Sequence, residues 1–234
     1  MKKYKLLITL LFCVSAIFAQ EITEPTLVKQ ISTNPLDIPY EKWKLPNGLT
    51  VLIHEDNSDP LVHVHVTYHV GSNRETAGKS GFAHLFEHML FQGSEHVEDE
   101  EAPRIIAEAG GRLNGNISFD RTVYFQTIPS NHLETILWLE SDRMGFLLNA
   151  VTQEKFENQR NVVKNEKYQV QMQRPYGMSG EILGQALYPP SHPYNWPIVG
   201  YMDDIERATL DDLRNFYLRW YGPNNAILTI SGDV

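Results

Sequence analysis

The sequence predicts an α+β protein built on a mixed β-sheet packed against helices. Three observations carry that expectation. Strand signals come in adjacent groups, 43–54 with 61–70 and then 112–128, instead of alternating one by one with helices. Helical signals fall between those groups in pairs, and a last strand is expected at 226–230. The 234 residues, 42% of them hydrophobic, suffice for a core of that kind.

The first nineteen residues stand apart. Lys2, Lys3 and Lys5 make a basic start, 6–18 is an apolar run, and Ala19 is a small exit residue. That is the layout of a secretory signal peptide, and the run is shorter than the ~20 apolar residues of a membrane span. Export to a periplasm or out of the cell is expected, with no stable membrane span once the signal is cleaved. Residues 20–38, with Pro25, Pro35 and no period, read as a linker into a domain covering 39–234.

Asn47-Gly48 between alternating stretches predicts a hairpin of 43–45 with 49–54. Residues 61–70 alternate, with Val62, Val64, Val66, Tyr68 and Val70 on one face and His63, His65, Thr67 and His69 on the other. Ser80 reads as the cap and Gly93 as the stop of a helix that is apolar nearly all round, through Phe82, Leu85, Phe86, Met89, Leu90 and Phe91. A second helix is expected at 99–109, ending at Gly110-Gly111, followed by strands 112–119 and 122–128. Ser130 and Thr152 read as N-caps of helices 131–148 and 153–173, the Pro-rich 188–197 as irregular, and Thr209 as the start of a helix to about 217.

Cys13, the only cysteine, lies inside the signal segment. The mature chain then has neither disulfides nor thiolate ligands, so a bound metal must be held by histidine and carboxylate. Removing the three signal lysines takes the formal charge from −9 to −12. That acidity argues against a nucleic-acid partner, which wants clustered Lys and Arg. It is compatible with a neutral or slightly cationic peptide.

The chemistry concentrates in His84-Leu85-Phe86-Glu87-His88. On a helix, positions i, i+3 and i+4 share a face, so both imidazoles and the carboxylate meet one region of space. Buried among Phe and Leu, each would cost a few kcal/mol if unpartnered, and a metal supplies the partner. The order HxxEH is the inverzincin signature. The rival group is His63, His65 and His69, ~6.5–7 Å apart along one strand face. Such a face is more often the solvated side of a half-buried strand. A catalytic zinc takes three protein ligands and leaves one position open. The third here should be a carboxylate, and helix 153–173 offers Glu154, Glu157 and Glu166, which spacing does not separate. Glu166 shares a face with Val162 and Gln159.

The segment 81–94, Gly-Phe-Ala-His-Leu-Phe-Glu-His-Met-Leu-Phe-Gln-Gly-Ser, resembles the active-site block of the pitrilysin-type (M16) zinc peptidases. That family includes insulin-degrading enzyme and mitochondrial processing peptidase. Residues 110–116 and 122–125 resemble its substrate-side edge strand and that strand's neighbour, 160–166 the helix with its third ligand, and 192–194 and 220–233 its closing segments. The resemblance runs from about Tyr40 to the end. It implies a LuxS/MPP-like metallohydrolase half-lobe that hydrolyses peptide bonds as an endopeptidase or oligopeptidase. Within it, His84, His88 and Glu166 would bind one zinc ion, and Glu87 would be the general base toward a metal-activated water. Asn114 and Gly115 would hold the substrate, a peptide or small protein. Two positions depart from the pattern. Gln159 stands where the family often has a glutamate, which weakens an electrostatic helper role. Gly115 stands where alanine is common. The resemblance further implies a second lobe of the same kind, so the chain is expected to be an N-terminal catalytic domain truncated at its C-terminal end. The alternative is a non-catalytic or incomplete lobe that scaffolds a partner subunit.

Overall fold

The structure is a computed structural model that describes residues 24–31 and 38–234. Residues 1–19, read from the sequence as a signal peptide, lie outside the described residues. Seven strands form one sheet in the order β1-β2-β3-β7-β4-β6-β5. They are β1 (Thr26–Ile31), β2 (Tyr40–Lys44), β3 (Thr50–Glu55), β4 (Leu61–Tyr68), β5 (Arg112–Ile117), β6 (Thr122–Pro129) and β7 (Ala226–Gly232). All neighbours pair antiparallel except β3 with β7, which makes the sheet mixed as expected.

The β2–β3 hairpin turns at Asn47, whose side chain accepts the Leu49 N–H at 3.1 Å. Chain neighbours β3 and β4 are not sheet neighbours, because β7 returns from the far end and inserts between them. One expectation is corrected here. Part of the segment read as linker is strand β1, paired with β2 over Thr26↔Lys44 to Ile31↔Tyr40. Its period is hard to see because the pairing with β2 slips between Leu27 and Lys29.

The helices are α1 (Phe82–Met89), α2 (Glu101–Glu108), α3 (Leu133–Ala150), α4 (Gln153–Lys167), α5 (Ser179–Leu187), α6 (Met202–Arg207) and α7 (Leu210–Trp220). The β4 alternation sets the layers. Val62, Val64, Val66 and Tyr68 are buried in one core with Leu85, Phe86 and Met89 of α1, Ile136 and Leu147 of α3, Phe156 and Val163 of α4, and Leu213 and Tyr217 of α7. Each such side chain contributes roughly 1.5–3 kcal/mol by leaving water. His63, His65 and Thr67 stay half-buried on the opposite face.

Thr152 and Thr209 cap α4 and α7 as expected, accepting from Lys155 N–H and Asp212 N–H. Ser80 and Ser130 do not cap. Ser80 Oγ donates to Asp204 at 2.6 Å and accepts Tyr201 N–H, while Ser130 Oγ donates to Asp233. The cap of α1 is Glu75, a buried carboxyl that accepts Gly81 N–H at 3.0 Å and Ala83 N–H at 2.9 Å. Helix α1 is also shorter than its apolar stretch suggests, ending at Met89. Helix α4 continues as a π turn over Tyr168–Met172, which no local signal announces.

Candidate metal centre

Helix α1 is buried on nearly every side, and α4 packs along it. The inward stripe of α4 is Phe156, Gln159, Val163 and Lys167, and Glu166 sits beside it. Val162 is 39% exposed, so the stripe runs one position over from where spacing suggested. Glu154 is exposed and Glu157 pairs with Arg160, whereas Glu166 faces α1. Its Oε2 lies 3.2 Å from His88 Nε2 and 3.6 Å from His84 Nε2, and the two Nε2 atoms are 3.4 Å apart. Among the described residues, this is the one group of three ligand-type side chains close enough to share an ion.

The donor set fits zinc. Tetrahedral ligands at 2.0–2.1 Å stand about 3.3 Å from one another. Three acceptor atoms at that spacing repel unless a cation or protons lie among them. His84 is held down to about 4 by burial first and by His88 second, so its ring stays neutral, the form that ligates. Its Nδ1 is buried without a partner among the described residues, and Nε2 is the atom that faces His88 and Glu166. The His88 hydrogen bond is the main influence holding Glu166 below its ordinary value, against some desolvation. Glu87 is half-buried on the same turn, and desolvation pushes its carboxyl up to about 7 against the pull of His88, with Glu166 adding to the rise.

A cavity of about 430 Å³ opens beside these residues. His84 and Glu166 are at one end, and its walls include Ile117, Phe119, Val170 and Trp196. Strand β5 lies against α1 and, among the described residues, pairs only with β6, leaving its other edge free of them. Asn114 Oδ1 accepts Gly115 N–H at 2.8 Å, the local role open to an asparagine on a strand edge. A Cβ on Gly115 would meet the Tyr124 ring at 3.1 Å and Phe91 at 3.2 Å. Tyr124 is buried under Arg143 and donates to the Glu87 carbonyl at 3.5 Å. Gln159 is buried on α4 with no hydrogen bond to the three ligands among the described residues. Among the described residues, His63, His65 and His69 do not assemble a centre: the Nδ1 atoms of His63 and His65 pair with Thr127 and Thr67, and no carboxylate completes a set.

Sequence reasoning missed Glu75 and Lys167. Glu75 has no helical pattern around it. Lys167 was findable as the polar end of a stripe at i, i+3, i+7 and i+11.

A seven-stranded mixed sheet with helices on the face beneath β4 and a His-His-Glu donor set on two of them defines one half of a metallopeptidase-type fold. Residues 50–186 match the family profile described as Insulinase (Peptidase family M16), and the chain belongs to that family. It is 36% identical over 196 residues to the zinc protease PqqE of Helicobacter pylori, covering 83% of this chain and 44% of that relative. It is 30% identical over 218 residues to the probable zinc protease PqqL of Escherichia coli, covering 86% of this chain and 22% of that one. The crystal structure of a protease from Helicobacter pylori superposes with a TM-score of 0.78 at 36% identity, over 83% of this chain and 46% of that one. The crystal structure of the periplasmic protease PqqL from Escherichia coli superposes at 0.75 with 24% identity, over 89% and 23%. The chain thus spans less than half the length of these relatives. No described helix is long and apolar enough to cross a membrane.

Proposed function

We propose that this chain is the zinc-bearing lobe of an exported endopeptidase or oligopeptidase. His84, His88 and Glu166 hold one zinc ion, and Glu87 is the general base. The observation that carries this reading is the convergence of three ligand atoms from two helices, 3.2–3.6 Å apart, beside a half-buried carboxylate. Zinc, when held there, supplies Lewis acidity to a water and to the scissile carbonyl. Glu87 takes the water's proton and returns it to the leaving amine. A cation beside it lowers that elevated value, which keeps the carboxylate ready to accept.

The substrate is an extended segment of a peptide or small protein that adds a strand to the free edge of β5, along 113–118. Asn114 releases Gly115 N–H as the segment arrives, and its amide and the freed N–H then bind substrate backbone. Gln159 contributes a neutral dipole behind Glu166. A second lobe of the same family closes over the cavity, in keeping with a chain that spans less than half of its relatives. An N-terminal signal at 1–19 directs the protein to the periplasm or beyond.

The test is zinc content and peptide hydrolysis by the full-length protein and by Glu87→Gln. Both should carry one zinc per chain, with hydrolysis lowered by roughly 10²–10⁴-fold in the variant. Zinc-free wild-type protein would overturn the centre, and undiminished cleavage by Glu87→Gln would reject the base. Zinc without any hydrolysis would favour the scaffolding lobe.

A further inference from the structure

The next residue after Glu166 is a buried cation that the proposed chemistry does not use. Lys167 is 7% exposed, and its ammonium donates to the Gly200 carbonyl at 2.7 Å and to Glu181 Oε2 at 3.3 Å. An ammonium is not buried without cause, since stranding one costs several kcal/mol.

Its partners explain the arrangement. Gly200 belongs to a strap that lies on the first turn of α1. A Cβ on Gly200 would fall 2.4 Å from Gly81 Cα, and one on Gly81 would fall 2.7 Å from the Val199 carbonyl oxygen. Tyr201 N–H donates to Ser80 Oγ, and Glu75 accepts from the same first turn. Three residues beyond Gly81 comes His84. A continuous path of contacts therefore runs from Glu166 through Lys167 to Gly200, to Gly81 and along α1 to His84. At the other end of α4, Lys155 Nζ donates to the Gln92 carbonyl just past α1. Two lysines twelve residues apart, about 18 Å along a helix, thus tie the antiparallel pair at both ends. Only Lys167 does so at the ligands. The second partner, Glu181, is on α5 and lines the cavity with Lys167. The helix turns from α to π directly after Lys167, so the backbone that aims Glu166 and Lys167 ends in a wider π turn.

We propose that Lys167 is a positioning residue: clamped between Gly200 and Glu181, it holds the end of α4 against the start of α1 and sets Glu166 at ligating distance from His84 and His88. This rests on the zinc-centre reading above. In the full-length protein, Lys167→Met should weaken zinc binding about 10–100-fold, the range for losing a group that orients a ligand. It should also shift the visible absorption of the cobalt-substituted protein, with Lys167→Arg restoring part of both. Lys155→Met, the tie at the far end, should leave both readouts within about twofold of wild type. A folded Lys167→Met with unchanged zinc affinity and cobalt spectrum overturns the proposal. If Lys167→Met does not fold, Glu181→Gln decides, because it loosens the clamp while keeping the lysine. A loss of about threefold or more supports the proposal, and no change overturns it. Wild-type protein that binds no zinc sinks the centre itself and this inference with it. Wild-type protein that binds zinc alongside an indifferent Lys167 variant sinks only the inference.

Discussion

At the scale of the residue, one carboxylate separates itself from its neighbours by what it faces. Glu154, Glu157 and Glu166 belong to one helix, yet one is in solvent, one is paired with Arg160, and one meets two imidazoles. Glu166→Gln should lower zinc affinity by at least about 100-fold, more than loss of an outer partner, while Glu157→Gln leaves it unchanged; competition with a chromogenic chelator reads both. Gly115 makes a smaller prediction. A methyl there presses on Tyr124 and Phe91 at 3.1–3.2 Å, and both rings must shift by a few tenths of an ångström. Gly115→Ala should therefore change thermal stability by no more than about 1 kcal/mol, since the chain also loses glycine's extra freedom when unfolded. The HxxEH spacing was legible because it lies within one turn. Spacing alone did not single out Glu166, because nothing in a helix's own period says which glutamate a distant helix will meet; only the family resemblance did.

At the scale of the element, α1 is eight residues long and could not persist alone in water. It is held by burial and by Glu75, whose carboxyl desolvation pushes up to about 8 although two backbone N–H groups oppose the rise. The sign follows from proton counting. Between the ordinary value of 4.5 and about 8 the native state binds more protons at this group than the unfolded chain does, so stability falls as pH rises through that window. The slope is at most about 1.4 kcal/mol per pH unit. Glu75→Gln should flatten it, and denaturant midpoints for the two proteins at pH 5 and pH 8 measure the difference. The strap on α1 is equally intolerant. Gly200 has φ +82 and no room for a methyl beside Gly81, so Gly200→Ala should cost roughly 3 kcal/mol or more, visible in the unfolding midpoint. Caps at Thr152 and Thr209 were readable because the acceptor and its N–H donor lie three residues apart. Ser80 and Ser130 misled because their hydroxyls are taken by Asp204 and Asp233, more than one hundred residues away in sequence. The linker reading of 20–38 failed in part for the same reason, since β1 is a strand only because β2 offers it an edge.

At the scale of the whole molecule, two helices distant in sequence are brought together by the sheet they share, and under the proposed function an ion held by His84, His88 and Glu166 would add its affinity to that packing. A ligand at 100 times its dissociation constant stabilises the folded state by about 2.7 kcal/mol. For a domain of this size, chelation should then lower the melting temperature on the order of 5–10 °C. His84→Ala should melt at the same temperature with or without chelator in a calorimetric scan.

The sequence by itself determined the elements that depend on neighbours a few residues apart: the hairpin at Asn47-Gly48, the alternation of β4, and the buried α1 with its two histidines. Its resemblance to the pitrilysin-type peptidases also pointed to Glu166. Only the tertiary structure decided that β7 lies between β3 and β4, that Glu75 caps α1, that Glu157 is bound elsewhere, and that the lysine beside Glu166 is clamped to the first turn of the helix carrying His84 and His88. Local periodicity reports which face of an element is buried, but not what it is buried against. Contacts across a hundred residues depend on how the sheet orders its strands, and that order is settled by the packing of the whole core.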